Sequence, residues 1–217
     1  MPGFWLTAFL VAVVAALTLK LRLPLGPNYW DTAVYLDAIQ RIRMGQAPSL
    51  DFFAPVGPLG YYLAAGLHAL FPHAQPMLLV NWALLPVLLP AIVLLVAHVD
   101  QRSRGQALAM LLPFLLFASL PINLHSLYPQ PGFDGFGHYN RHIALLLYAL
   151  VATLLFARSR ALLTGLVAAL MLALFLVKIT GAVAGAMLVG YAVAAGRLKL
   201  REAAIATLCV VATLAAL

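Results

Sequence analysis

The stretch from residue 29 to residue 63, YWDTAVYLDAIQRIRMGQAPSLDFFAPVGPLGYYL, contains half of the chain's six acidic residues: Asp31, Asp37 and Asp51. A carboxylate held at a membrane surface can remove a proton from a reacting group or bind a cation when a cleft forms around it. Asp31, at the start of a helix-like pattern, has that role or the simpler one of capping the first turn. Asp51 lies among Pro, Gly and aromatic residues, and its alternatives are a turn residue or the wall of a site.

A second polar segment contains Asp134 and three histidines, His125, His138 and His142. The spacing of the histidines matches no standard metal site, so we expect them to be interfacial or solvent-exposed. The glycines of GFDGFG predict a flexible or tightly turned loop, which suits a ligand-shaped lid as well as a simple connector.

Two cations are candidates for binding a phosphate group. Lys178 interrupts apolar sequence in LFLVKITGAV. A lysine at a membrane boundary either extends its ammonium group to the interface or binds an anion there. Arg141, from the second polar segment, is the other candidate for the same anion.

The composition determines which kind of fold must position these residues. The chain is 65% hydrophobic and 9% charged, with a mean hydropathy of +1.01, which predicts an integral membrane protein. The apolar runs are long and rich in Leu, Ala and Val, so we expect an all-α transmembrane bundle rather than a barrel.

The lone Cys209 excludes a disulfide framework. The basic residues form no stripe with interleaved aromatics, so we expect no nucleic-acid partner.

The apolar runs predict about seven spanning helices of roughly 20 residues each. They are 4–19, 76–99, 107–120, 143–157, 161–177, 182–195 and a last run from residue 203. Residues 58–71 form a shorter run bounded by prolines. This run either spans the membrane with help from its neighbours, or lies at the interface or re-enters the membrane, and its flanking prolines and tyrosines favour the second alternative.

The positive charges predict the orientation of the bundle. Three basic connectors contain Arg102 and Arg104, Arg158 and Arg160, and Arg197, Lys199 and Arg201. Because two apolar segments separate each connector from the next, all three share one face, which the positive-inside rule makes cytoplasmic. Residues 20–75 and 121–141 are then the first and second external loops of a single transmembrane module, residues 1–217.

Within the first external loop, residues 31–44 read as an amphipathic helix. Tyr35, Ile39 and Ile42 form an apolar stripe, while Asp37 and Arg41 form an i, i+4 pair on another face. Gly45 is expected to end the helix. Such a helix between two membrane segments most simply lies along the bilayer surface.

These residues together resemble the first external loop of the GT-C superfamily of membrane glycosyltransferases, particularly lipid A aminoarabinose transferase and the protein O-mannosyltransferases. The resemblance covers Asp31 at the start of a surface helix, the turn at Gly45, the aromatic stretch DFF at residues 51–53, and GPLGYYL at residues 57–63. Those families often have a second acidic residue beside the first, where this chain has Thr32. Aminoarabinose transferase also has a lysine before its Pro-Pro-Leu, which is absent from APVGPL.

The resemblance implies an inverting hexosyl or pentosyl transferase. Its donor is a sugar on a polyprenyl phosphate, and its acceptor is a lipid, glycan or protein group at the outer face of a bacterial inner membrane. Asp31 is implied as the base or as a residue that orients the acceptor. Asp51, Asp134 and His138 are candidates for binding the acceptor, the donor or a divalent cation such as Mg²⁺ or Mn²⁺. Arg141 and Lys178 are candidates for binding the lipid phosphate.

Two further expectations concern completeness and the rival functions. GT-C enzymes are longer than this chain, which ends in the apolar run CVVATLAAL, so we expect it to be the N-terminal module of a longer protein and inactive when alone. The alternative function is a non-catalytic polytopic protein, either a transporter or a lipid-binding subunit. The scarcity of intramembrane charges and of repeats disfavours a transporter. No His-Asp spacing supports an acyl- or phosphotransferase.

Overall fold

A computed structural model of the chain describes residues 1–23, 29–119 and 137–216. In these residues the regular elements are helices, as predicted, and the sole β feature is an isolated bridge between Pro48 and Phe52. The helices are α1 (Pro2–Thr18), α2 (Trp30–Arg43), α3 (Leu59–Leu70), α4 (Pro76–Trp82), α5 (Leu85–Asp100), α6 (Arg104–Ser119), α7 (His138–Phe156), α8 (Arg160–Val177), α9 (Ile179–Ala194) and α10 (Leu200–Ala216).

Within the described ranges, fewer helices than the predicted seven are long and apolar enough to cross a membrane. Two meet this condition, α7 with 19 residues and α8 with 18, and the pair α4–α5 becomes a third if its 44° bend is counted as one span. The apolar helices α1, α6 and α9 are shorter. The bend has a local cause, because Pro86 in the first turn of α5 collides with the carbonyl group four residues earlier, at Trp82 where α4 ends.

The helix α3 bears on the alternatives left open for residues 58–71. It contains 12 residues and is therefore about 18 Å long at the helical rise, well below the hydrocarbon thickness of about 30 Å. Its length agrees with an interfacial or re-entrant position. The preceding helix α2 packs against α3 and α4.

The helix α2 matches the predicted range 31–44 within one residue at each end. Its apolar stripe is buried at Tyr35 and Ile39, and the exposed pair of Asp37 and Arg41 is confirmed, with 2.7 Å between carboxylate and guanidinium. Gly45 has a φ of 85°, a conformation that favours glycine and ends the helix.

Helices α8 and α9 form a tight antiparallel hairpin. A single extended residue, Lys178, separates them. They pack closely because α9 presents glycines to α8: a Cβ at Gly185 would lie 2.7 Å from the Met171 sulfur and 2.8 Å from a Leu174 methyl group. This packing fixes Lys178 at the tip of the hairpin.

The bundle has two polar ends. At the first, which we call the basic end, the α5–α6, α7–α8 and α9–α10 connectors meet. The Arg158 backbone N–H donates to His98 Nε2 at 3.1 Å, and Arg197 donates to the Leu154 and Ala157 carbonyls, both at 2.6 Å. These contacts bring the three basic connectors together, as the charge pattern predicts. At the second, the Asp31 end, the starts of α2, α3 and α7 meet the α8–α9 turn.

Candidate functional site

The entry to α3 is attached to the end of α8 at the Asp31 end. The Gly57 N–H donates to the Val177 carbonyl at 2.9 Å. The approach is so close that a Cβ at Gly57 would lie 2.2 Å from the Leu176 carbonyl oxygen. Only glycine allows this backbone contact, which holds the segment GPLGYY beside Lys178.

The carboxylate of Asp31 joins the start of α2 to the start of α7. Its Oδ2 accepts the Gly137 N–H at 2.5 Å, across 106 residues of sequence. Asp31 is half-buried. The N-cap position of α2 belongs to Tyr29, so Asp31 is not the capping residue that one of the sequence alternatives proposed.

Thr32, which follows Asp31, makes a second contact between α2 and α7. Thr32 Oγ1 and His138 Nε2 are hydrogen-bonded at 3.0 Å, and both side chains are buried. One turn along α7, His142 Nε2 donates to the carbonyls of Val80 and Asn81 at 3.1 and 3.3 Å. The prediction of interfacial or solvent-exposed histidines is therefore wrong for His138 and His142, because both are buried inside the bundle, where each Nε2 takes part in a tertiary hydrogen bond. His125 lies outside the described residues.

Two tyrosines fill the space beneath this link. The ring centroids of Tyr35 and Tyr61 are 4.7 Å apart, and the Tyr35 ring lies edge-on to the imidazoles of His138 and His142 at 6.2 and 6.4 Å. The Tyr35 hydroxyl and the Nδ1 atoms of both histidines are buried and make no hydrogen bond within the described ranges. Buried polar atoms are usually paired, so these three are unused hydrogen-bonding groups next to the link between α2 and α7.

The same tyrosines are held neutral by their surroundings. Burial raises the pKa of Tyr35 strongly, and the neighbouring Tyr61 and Asp31 raise it further. Burial, followed by the negative charge of Asp31, raises the pKa of Tyr61 to about 12. At neutral pH both phenols consequently keep their protons and can donate hydrogen bonds.

The cation Lys178 lies next to the start of α7. Its Nζ is 4.4 Å from the centroid of the Tyr139 ring and 3.5 Å from Asn140 Oδ1. Arg141 is half-buried in the first turn of α7. Both predicted phosphate ligands therefore lie at the start of this helix, Arg141 within it and Lys178 beside it. The helix α7 begins at His138, within the range 121–141 that was predicted as the second external loop.

The remaining predicted residues are placed differently. Asp51 is exposed, and its carboxylate accepts the Ala47 N–H at 2.7 Å inside its own turn. Asp51 is therefore a turn residue, which is one of the two alternatives that the sequence left open. Asp134 lies outside the described residues. Among those that are described, no group of three or more His, Cys, Asp or Glu side chains could hold a metal ion.

Thr32, Tyr35 and Tyr61 did not stand out in the sequence as site residues. Thr32 and Tyr35 are on the buried face of α2, and the i, i+4 spacing of His138 and His142 was the signal that both imidazoles share one face of α7. The assembled site combines a fixed carboxylate, neutral phenol and imidazole groups, and a nearby ammonium group. Such a set can deprotonate a hydroxyl or amine, orient a polar ligand and attract an anion.

Comparison with protein-family models, with curated proteins and with solved structures finds nothing that matches this chain.

Proposed function

We propose that the chain transfers a hexose or pentose from a polyprenyl-phosphate donor to a hydroxyl or amine at the membrane surface, with inversion at the anomeric carbon. The observation that carries the proposal is the attachment of Asp31 to Gly137 at 2.5 Å. This contact fixes a half-buried carboxylate where the start of the amphipathic helix α2 meets the start of α7. The GT-C resemblance at residues 29–63 also implies Asp31 as the base or as the residue that orients the acceptor.

In this proposal Asp31 acts as the general base. As the acceptor oxygen or nitrogen attacks the anomeric carbon, its proton passes to the carboxylate. The bond between the anomeric carbon and the phosphate oxygen breaks, and the electron pair leaves with the polyprenyl phosphate. The products are an inverted glycoside, protonated Asp31 and the lipid phosphate, and the proton then returns to solvent.

The neighbouring groups take supporting roles. Lys178, with its ammonium group beside Tyr139, stabilises the charge that develops on the leaving phosphate, and Arg141 assists from the same turn of α7. The neutral Tyr35 hydroxyl and the histidine Nδ1 atoms, buried and unpaired in the described part of the chain, orient sugar or acceptor hydroxyls.

The membrane supplies the geometry for such a donor. Helices α7 and α8 are long enough to cross a bilayer and carry the Asp31 end at one surface, so a prenyl tail remains in lipid while its sugar reaches the carboxylate. We place the Asp31 end at the outer face of a bacterial inner membrane, since the arginine-rich end is favoured on the cytoplasmic side. The shorter α1, α6 and α9 complete the membrane part by local thinning of the bilayer.

The test is the Asp31→Asn substitution in the intact protein, assayed in membranes with a panel of radiolabelled polyprenyl-phosphate hexoses and pentoses. We expect transfer to fall by at least about a hundredfold, the usual minimum contribution of a positioned base. The matched control is Asp37→Asn, which removes an exposed carboxylate on the same helix and is expected to retain full transfer.

The outcomes separate the two functional classes. If Asp31→Asn still binds the donor lipid but no longer releases polyprenyl phosphate, the carboxylate acts in chemistry. Full transfer by Asp31→Asn would exclude Asp31 as the base. An intact protein that binds polyprenyl phosphates and transfers no sugar from any donor in the panel would favour the non-catalytic, lipid-binding alternative.

A further inference from the structure

A polar cavity of about 680 Å³ lies at the basic end of the bundle, far along the helices from Asp31. It is open to the surface and lies between the α5–α6 turn on one side and the end of α7 on the other. The residues that line it are Val99, Arg102, Ser103, Gln106, Leu155, Phe156 and Arg158. Two arginines, a hydroxyl and an amide therefore face a space bordered by apolar side chains.

The guanidinium of Arg102 and the backbone of Arg158 are both held by one imidazole, His98. His98 Nε2 accepts from Arg102 Nη1 and from the Arg158 backbone N–H, both at 3.1 Å. Neither arginine forms a salt bridge within residues 1–23, 29–119 and 137–216, whereas the nearby Asp100 pairs with Arg104 at 3.8 Å. The cavity consequently keeps two positive charges, and the planar guanidinium group matches the geometry of a phosphate group.

An apolar groove continues from this cavity along the side of the bundle. The groove has a volume of about 230 Å³ and shares Gln106, Leu155 and Phe156 with the cavity. Beyond them it follows the α6–α7 surface past Ala109 and Val151. Among the described helices, α7 is one of two that are long and apolar enough to cross a membrane, so the groove extends from the charged boundary toward the lipid-facing middle of that helix.

We propose that this cavity and groove bind one anionic phospholipid. The phosphate lies between Arg102 and Arg158 with Ser103 and Gln106 as hydrogen-bond donors, and an acyl chain follows the groove past Ala109. A soluble phosphate compound would use the arginines alone, so the apolar groove is what selects a lipid. This binding is separate from the transfer reaction at the Asp31 end and does not depend on it.

The experiment measures binding of a fluorescent phosphatidic acid to the detergent-solubilised intact protein, with fluorescent phosphatidylcholine as the zwitterionic reference. The double substitution R102Q/R158Q is expected to raise the Kd for phosphatidic acid at least about tenfold, since each charge-assisted hydrogen bond contributes strongly. The control K199Q/R201Q removes the same amount of charge at the same end, outside the cavity lining, and is expected to change the Kd less than about twofold.

A second variant tests the groove and does not depend on the arginines. Ala109→Trp fills the groove from an exposed position on α6 and is expected to weaken phosphatidic acid binding, while Ala144→Trp, exposed on α7 and outside the groove lining, leaves it unchanged. Equal effects of the two double substitutions would overturn the site in favour of diffuse surface charge. Competition by glycerol phosphate at the Kd of the lipid, or full binding by Ala109→Trp, would overturn the choice of a lipid.

Discussion

The two polar ends of the bundle use their polar residues in opposite ways. At the Asp31 end, buried side chains join distant segments: Thr32 reaches His138 across 106 residues, and His142 reaches Val80 across 62. At the basic end, arginines lie near the surface and donate to the carbonyls that end a helix, as Arg197 does at the end of α7. The first pattern builds a specific interior, whereas the second completes helix ends.

This contrast has an energetic meaning. A buried polar group that loses its partner costs about 1–3 kcal/mol, while exposed charge pairs contribute about 0–1 kcal/mol. Single substitutions at the Asp31 end should consequently disturb the fold, and those at the basic end should mainly change what the surface binds. The predictions below compare the two ends in order of expected effect.

The largest effect is expected at the glycine that joins α3 to α8. In Gly57→Ala the new methyl group would lie 2.2 Å from the Leu176 carbonyl oxygen, and neither backbone can move without separating α3 from Lys178. We expect a loss of about 3 kcal/mol or more in the free energy of unfolding. The measurement is reversible unfolding of the purified protein in mixed detergent micelles.

Two other glycines provide the controls for Gly57→Ala. At the basic end, Gly105→Ala would meet only the Ser103 hydroxyl, at 4.0 Å, and within α3 Gly66→Ala would meet nothing within 4 Å. Both substitutions lie in helices, where alanine is preferred by about 0.5–1 kcal/mol. Equal losses at Gly57 and Gly105 would remove the proposed difference between the ends.

The positions of the helices were largely readable from the sequence. The range 161–177 corresponds to Arg160–Val177, and 31–44 to Trp30–Arg43, because apolar periodicity, serine caps and glycine stops act over a few residues. The number of spans was not readable in this way. Hydropathy marks an apolar run without showing where Pro86 interrupts it, and the run 76–99 consequently bends by 44°.

The site was only partly readable, for a physical reason. The sequence indicates Asp31, Lys178 and Arg141 as polar groups at the edges of apolar runs, but the Asp31–Gly137 contact depends on how α2 packs against the start of α7. His138 and His142 were mistaken for surface residues. A polar side chain is usually exposed unless a tertiary partner satisfies it, and neither Thr32 nor the Val80 carbonyl lies near these histidines in sequence.

A smaller effect is expected from Thr32→Val, which preserves the shape of the side chain and removes its hydroxyl. The buried His138 Nε2 then loses its 3.0 Å partner, and we expect a loss of about 1–3 kcal/mol in unfolding free energy. Thr32→Ser keeps the hydroxyl and should restore most of the stability. At the basic end, Arg102→Gln changes an exposed hydrogen bond and should alter the same quantity by less than about 0.5 kcal/mol; a larger loss there would contradict the contrast.

The smallest effect is expected at alkaline pH, on the pKa of Tyr61. This pKa reports how strongly the charge of Asp31 acts on the tyrosine pair. The pKa of Tyr61 is raised to about 12 by burial and then by Asp31, whereas a tyrosine in the unfolded chain has a pKa of about 10. The neutral phenol is therefore favoured by the fold. The resulting stabilisation is complete below pH 10 and is lost as the pH rises toward 12, because the unfolded chain releases its proton first.

The measurement for this prediction is a tyrosinate absorbance titration, in which Tyr61→Phe identifies the step that belongs to Tyr61. Asp31→Asn removes a negative charge that opposes the tyrosinate, so the pKa of Tyr61 should fall, while the remaining burial keeps it above the ordinary value. Asp37→Asn, on the exposed face of α2, should leave the step in place. A Tyr61 step that responds equally to both substitutions would mean that the Asp31 carboxylate does not face the tyrosine pair, and the base proposed for transfer would lose the neighbours that orient its substrate.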